Sequence, residues 1–307
     1  MMDVVIDSEL CNGCGLCVPV CPDRRIRLNE ERAEIHGEKC LECGHCRAVC
    51  PLDAISIETI TVELGMHNVR ETKTVIQPGK YDCAELVQLM RSRRSCRNFK
   101  SAPVELSLLA DLVKIGTTAP SGTNCQAWNF ILLPTRQEVL SFAEMVRTFF
   151  ADLNKKAANP VYRFLADIFM GGVLSEYHRN YYKTVAEAID EFEQEGKDRL
   201  FHGATAAILI SVKKSASCPC EDALLASQNI LLAAHALGLG SCLIGFAVEA
   251  MRKKKGMKEA MNIPDDEEIY AVIALGYPDE YYSRPAGRRV VSPRVINCLN
   301  SPKKTRQ

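Results

Sequence analysis

Aromatic residues are sparse, with one tryptophan among 307 residues, and the formal net charge is zero. Long apolar runs are missing as well. The longest largely apolar stretch, Ala204–Val212, falls far short of the roughly 20 residues that span a bilayer as a helix. It suits a buried strand, and no membrane span is expected. Zero net charge, with no aromatic-interleaved basic strand and no helix-turn-helix spacing, gives no ground for a nucleic-acid partner. The sequence has no Gly-x-x-x-x-Gly-Lys loop and no Gly-x-Gly-x-x-Gly behind a strand. Neither a nucleoside triphosphatase nor a Rossmann dinucleotide fold is therefore indicated. The acidic N-terminal residues lack a signal-peptide pattern, so a cytoplasmic location is expected.

Cysteine is not scarce: there are 15. Without a signal peptide they point to a reducing compartment and to metal ligation rather than disulfides. Eight of them form two runs. Cys11, Cys14, Cys17 and Cys21 are followed by Pro22; Cys40, Cys43, Cys46 and Cys50 are followed by Pro51. Both read C-x2-C-x2-C-x3-C-P, and each position recurs 29 residues later. Three cysteines at this spacing wrap one corner of an iron–sulfur cube, and the fourth is carried to the other cube. By that crossing, Cys11, Cys14, Cys17 and Cys50 hold one [4Fe-4S] cluster, and Cys40, Cys43, Cys46 and Cys21 hold the other. The alternative is a pair of structural zinc sites, which favour separated C-x2-C knuckles over an unbroken run. The repeat also carries Ile26 and Leu28 into Ile55 and Ile57, suggesting two copies of one small unit related by a pseudo-twofold. Residues 1–62 resemble a bacterial two-cluster ferredoxin. His45, inside the second run, reads as exposed rather than as a donor to sulfur.

The zero net charge conceals an asymmetry. Residues 1–62 hold eleven acids against six bases, whereas Arg284–Gln307 holds seven bases and no acid. The basic tail and the run Arg252–Lys255 are expected to dock the acidic ferredoxin face.

Residues 63–82 read as a linker containing Pro78-Gly79. Asp82 is a plausible N-cap, with Glu85 completing a capping box. Helices are expected over 82–93 and 105–115, then an irregular stretch over 117–126 and a strand over 128–133. Helices broken at Asn159-Pro160 and Gly171-Gly172 are expected over 135–200. A strand over 204–213, a helix over 221–237 ending at Gly238, a short strand over 242–246, a helix over 249–261 and a strand over 268–275 follow. Such alternation makes an α+β or α/β domain. The aromatic residues of 149–182 read mostly as helix core. Cys218 and Cys220 read as incidental, and Cys96 and Cys125 as filling small spaces.

Three stretches stand out in this second part: Arg93-Arg94-Ser95-Cys96-Arg97, Pro120-Ser121-Gly122-Thr123-Asn124-Cys125-Gln126, and Gly238–Gly245. Singly they read as a cationic helix end, a turn-rich loop and a helix stop. Together and in this order they resemble the FMN-dependent nitroreductase family over residues 83–296. The resemblance implies an α+β sandwich with a mainly antiparallel sheet, working as an intertwined homodimer with FMN at the interface. The fold class is thus α+β: a ferredoxin-like two-cluster domain (1–62), a linker (63–82), a nitroreductase-type FMN domain (83–296) and a basic tail (297–307).

The resemblance also implies site roles. Arg93, Arg94 and Ser95 hold the FMN phosphate and ribityl chain, and Arg97 sits beside the pyrimidine edge. Pro120, Ser121 and Gly122 pack on the flavin of the other subunit, with Asn124 and Gln126 shaping that loop. Ile244 and Gly245 lie near flavin N5. Arg288 closes over the phosphate, with Arg289 as its neighbour. Ala286 and Gly287 stand where some relatives carry another base, which leaves the grip dependent on Arg288. Arginine forks suit a phosphate, and a cation near flavin N1 favours its reduced form. No catalytic acid is identifiable.

The expected activity is an FMN-dependent reductase fed through two fused [4Fe-4S] clusters by an external low-potential donor, a ferredoxin or similar. It reduces a small-molecule electrophile such as a nitroaromatic. Alternatives are dehalogenation, enone reduction or flavin breakdown on the same fold, or an electron-transfer module serving a partner protein.

Overall fold

The computed structural model describes residues 4–37 and 40–296. The segment 297–307, and with it Lys303, Lys304 and Arg306 of the tail expected to dock the ferredoxin face, lies outside the described residues.

The first unit is built from two short antiparallel ribbons and one helical turn. Strand β1 (Val4–Ile6) pairs with β4 (Ile55–Ile57), and β2 (Ile26–Asn29) pairs with β3 (Arg32–Ile35). Helix α1 (His45–Val49) lies within the second cysteine run and carries Cys46, with His45 exposed at its start. Shifting the chain by 29 residues carries β1 onto β3 and β2 onto β4, which is the expected pseudo-twofold. The symmetry is incomplete in burial: Leu28 is 48% exposed where its counterpart Ile57 is 2% exposed. Val4, Ile26, Ala33, Ile55, Ile57, Cys17 and Cys46 form the small core. So few apolar residues make a marginal core, the situation in which small domains rely on metal centres.

The segment 63–82 contains no helix or strand, as its composition suggests, yet it is pinned. Asp111 accepts the N–H groups of His67 and Asn68, and Glu71 accepts those of Leu64 and Met66.

Helix α2 (Cys83–Ser92) begins at Asp82, whose carboxylate accepts Ala84 N. Helix α3 (Leu106–Gly116) and a 3-10 turn (Gly122–Asn124) lead to β5 (Trp128–Leu133). Four helices follow: α4 (Arg136–Ala158), α5 (Pro160–Met170), α6 (Val173–Asn180) and α7 (Tyr182–Glu195). The breaks fall at the expected places, because Asn159 caps α5 with Pro160 at its first position and Gly171 and Gly172 are both left-handed. Strand β6 (Ala206–Lys213), α8 (Pro219–Ala236), β7 (Gly240–Leu243), α9 (Gly245–Lys253), α10 (Lys255–Ala260) and β8 (Glu267–Gly276) complete the body.

Two expectations are corrected. The short strand spans Gly240–Leu243, not 242–246: Ile244 leaves the extended conformation and Gly245 opens α9. The basic helix is two helices, broken at Lys254, whose backbone is extended (φ −118, ψ 93).

The sheet order is β5-β6-β8-β7, antiparallel throughout. Strand β6 shows why it is central. Ala207 and Leu209 face one core with α4, α7 and α9; Ala206, Ile208, Ile210 and Val212 face the other with α3 and α8. A period of two with apolar residues on both faces is the signature of a strand covered on both sides. The result is a three-layer α+β sandwich.

Candidate functional site

The cysteine runs fold back on each other in the crossed manner. One cavity, of about 340 Å³ including its mouth, is lined by Cys11, Cys14, Cys17 and Cys50. A second, of about 470 Å³, is lined by Cys21, Cys40, Cys43 and Cys46. The left-handed turns that aim the sulfurs recur at the same offset: Gly13 and Gly15 in the first run, Glu42 and Gly44 in the second. Gly13 also lies so close to the Glu31 backbone that a Cβ would stand 2.0 Å from its carbonyl oxygen.

Four cysteines line each cavity, the donor set that an iron–sulfur cluster takes. Backbone N–H groups point at the ligand sulfurs: Arg25 N to Cys21 (3.2 Å), Ala54 N to Cys50 (3.4 Å), Glu42 N to Cys40 (3.2 Å) and Ala33 N to Cys11 (3.5 Å). Such donors stabilise thiolate and sulfide charge. Burial pushes the Cys17 thiol up, and its neighbours Cys11, Cys14 and Cys50 add to the shift. A bound cation reverses that logic by holding the thiolates ionised.

The second site lies where α2, β7 and the C-terminal arm meet. Arg93 ends α2 in an extended conformation. Ser95 then bridges Ser241 on β7, and Cys96 N donates to Ser241 O at 3.0 Å. Cys96 packs on Gly240, where a Cβ would approach its sulfur to 2.7 Å, and burial pushes its thiol to about 11. It is therefore a filler, as expected. Cys125 is not: it is exposed, with its sulfur 3.4 Å from the Asp222 carboxylate.

Arg93 is pushed down by burial and by the neighbouring Arg94 and Arg288, and no carboxylate is among the charges acting on it. Guanidinium groups of this kind suit a phosphate. The fold brings Arg93 within charge range of Arg288, which lies nearly 200 residues further along the chain. Arg97 is exposed but acts on Cys242 and His202. This cation set fits the phosphate of FMN.

The loop Pro120–Gln126 is anchored by residues that sequence reasoning passed over. Asp222, buried in the first turn of α8, accepts Gly122 N at 2.8 Å. Ser121 Oγ accepts Gln126 N at 3.0 Å. Asn124 donates to Leu41 O and Glu42 O at 3.1 and 3.0 Å. An acid in the first turn of an apolar helix was visible; its partner 100 residues away was not.

Ile244 is buried at the N-cap of α9, and Gly245 is exposed beside it. Apart from its chain neighbours and its own helix backbone, no protein atom lies within 4 Å of a Cβ built on Gly245, so the space in front of it is open. Phe246 next to it lines a cavity of about 800 Å³ including its mouth, with Val146, Phe150, Val185, Phe192 and His202. The aromatic block of 149–182 divides. Phe150 stacks on Tyr177 (6.3 Å) and meets Phe246 edge-on (5.2 Å), whereas Phe164 and Phe169 are exposed. The expectation that most of them are core is corrected: Tyr162 and Tyr181 are exposed as well, and only Phe150 is fully part of a core, with Phe149 and Tyr177 packed against it.

The run Arg252–Lys255 is spent locally rather than on the ferredoxin-like unit. Arg252 donates to Ile269 O, Lys253 pairs with Glu249, and Lys255 pairs with Asp265. Among the described residues no helix is long and apolar enough to cross a membrane.

Comparison with known proteins gives two family matches. Residues 90–277 match the nitroreductase family, and residues 3–51 match the 4Fe-4S dicluster domain. Among curated relatives, a 4-nitrobenzoate reductase of Pseudomonas putida is 25% identical over 207 residues, 62% of this chain and 85% of that protein. An iodotyrosine deiodinase of Thermotoga neapolitana is 24% identical over 199 residues, 64% and 89% of the two chains. Among solved structures, a nitroreductase with bound FMN from Bacteroides fragilis aligns with 70% of this chain and 99% of its own, at 18% identity and a TM-score of 0.48.

Proposed function

This chain belongs to the nitroreductase family, and on that premise we propose that it binds one FMN and two [4Fe-4S] clusters and reduces a small electrophile such as a nitroaromatic. The observation that carries the reading is the pair of four-cysteine cavities in the same chain as Arg93, half-buried within charge range of Arg94 and Arg288. Clusters exchange electrons singly, and FMN, taking them singly or in pairs, supplies two-electron reduction.

The chain's residues divide that work. Arg93, Arg94 and Arg288 bind the phosphate, and Ser95 and Arg97 extend the grip toward the ring system. Gly245 leaves its face open to substrate. Phe150 and Phe246 line the adjoining cavity. His202, pushed down by burial and by Arg97, stays neutral near pH 7. Tyr177, pushed to about 12 by burial, keeps its proton and donates it to Asn154 Oδ1 at 2.6 Å. Neither is a ready acid, so water supplies the protons.

Exposed apolar side chains support a homodimer: Leu224 and Leu225 on α8, and Val290, Val291, Val295 and Ile296 on the C-terminal arm. The electrons come from an external low-potential one-electron donor. Reductive dehalogenation is the second reading, supported by the similarity to the Thermotoga deiodinase.

An anaerobic titration tests the function. Protein reduced with dithionite is mixed with 4-nitrobenzoate or an iodotyrosine, while cluster and flavin absorbance are followed separately. Reoxidation by the nitro compound is expected. A protein that both compounds leave reduced is not this enzyme.

A further inference from the structure

The two cysteine sites are not equivalent with respect to the rest of the molecule. Asn124 Nδ2 donates to Leu41 O and Glu42 O, and both carbonyls lie inside the second run, between Cys40 and Cys43. Among the described residues no hydrogen bond joins the first run to anything beyond residue 82. The contact is also linked to a ligand sulfur. The amide joining Leu41 to Glu42 is engaged at both ends: its carbonyl accepts Asn124, and its N–H donates to Cys40 Sγ at 3.2 Å. Hydrogen bonds in such a chain polarise one another, so a carbonyl that accepts makes its N–H a stronger donor. Donors to cluster sulfur are among the factors that set a cluster's potential. The Glu42 side chain is fixed from the other side, accepting Thr59 Oγ1 at 2.6 Å.

The loop that carries Asn124 is held in an unusual shape. Thr123, Asn124 and Gln126 all have positive φ, at 52°, 54° and 45°, a region non-glycine residues seldom occupy. Asp222, Ser121 and the two ferredoxin carbonyls supply the contacts that keep it there.

We infer that electrons leave the ferredoxin-like unit through the Cys21/Cys40/Cys43/Cys46 site, and that Asn124 is the positioning residue that docks this site on loop 120–126 and tunes it. The inference rests on the proposed reading of that loop as a wall of the flavin site. Because the resemblance lays the loop over the flavin of the other subunit, each chain feeds its neighbour's flavin. Every transfer moves one electron, oxidising the cluster and reducing the flavin. The external one-electron donor restores the cluster, and two transfers with two protons from water complete the reduction. The Cys11/Cys14/Cys17/Cys50 site is then the one that meets the donor.

Two variants of the full-length reconstituted protein test it. Asn124→Asp keeps the shape and the tolerance of positive φ but cannot donate. Asn124→Gly relieves the positive φ and removes the side chain. A defect common to both is therefore not backbone strain. Iron, sulfide and FMN are first assayed in the unaltered protein, and absence of any of them overturns the parent reading and this inference with it. With all three present, redox titration followed by electron paramagnetic resonance gives the two cluster midpoints. Cys14→Ser and Cys43→Ser identify which signal belongs to which site. Both Asn124 variants are expected to lower the midpoint of the cluster that Cys43→Ser perturbs, to leave the other in place, and to slow cluster-to-flavin transfer severalfold. Unchanged midpoints, or a shift confined to the cluster that Cys14→Ser perturbs, overturn the inference.

Discussion

Asp111, fully buried on α3, accepts the backbone N–H of Asn68 at 2.6 Å and its side-chain amide at 3.0 Å. The same carboxylate accepts His67 N at 2.9 Å. Lys114, one turn further along α3, donates to Gly65 O. Two side chains thus fasten the segment between the two domains to the body, so the ferredoxin-like unit is attached at residues 65–68 as well as at Asn124. A relaxed coil of about 20 residues would leave its ends roughly 25 Å apart and free to move; a pinned one fixes where the clusters stand.

Asp111→Asn is expected to loosen that attachment. The amide retains one acceptor oxygen but turns an NH2 toward the donors of His67 and Asn68, leaving a buried group unpaired. The cost is about 1–3 kcal/mol. Denaturant unfolding measures the loss, and amide exchange at 64–71 locates it. Unchanged exchange there would show that the clamp contributes nothing.

The metal centres make a compositional prediction. About eight irons, with matching acid-labile sulfide, are expected per chain, and removal of the clusters is expected to unfold residues 4–57, whose apolar core is only a handful of side chains. Zinc without sulfide would point to structural zinc sites instead.

Arg94→Ala and Arg288→Ala are each expected to weaken FMN binding by roughly ten- to a hundredfold, the effect of losing one charge-assisted contact of about 1.5–3 kcal/mol. Retention of flavin through gel filtration measures it. Full retention in both variants would move the phosphate elsewhere.

What was legible in the sequence depended on range. The cysteine runs, the caps at Asp82 and Asn159 and the two-sided strand at 206–213 are local patterns, fixed by spacing or by a period of two. The arginine cluster was reached only through a family resemblance, since Arg93 and Arg288 meet through the fold. Asp111, Asp222 and Asn124 as a docking residue were not legible. Their partners lie 43, 100 and 82–83 residues away, and each looks like an ordinary polar residue until the partner is known. Asp111 gave one signal, an acid between Leu109 and Leu112 in an apolar stripe. The end of β7 at Leu243 was missed because Cys242–Phe246 is apolar enough for either a strand or a helix start.

The pinned linker also has a predictable response to acid. Burial alone would raise the Asp111 carboxyl, but the N–H donors of His67 and Asn68 outweigh it and hold the group below its usual range. Glu71 is lowered in the same way by Met66 N and Leu64 N. A carboxylate whose folded pKa is depressed adds stability that is fully present above its unfolded value, near 4 for both residue types. That stability is lost as pH falls through the lower folded value. Protection of the amides at 64–68 should therefore hold at neutral pH, begin to weaken below about pH 4 and disappear when Asp111 is protonated. Iron–sulfur clusters are themselves acid-labile, so the measurement is made on wild type and Asp111→Asn side by side, where cluster loss is common to both. The expected difference is a large gap in amide protection at pH 7 that narrows as the pH falls below about 4. A gap that stays constant across that range would mean the Asp111 carboxylate is not what holds the linker.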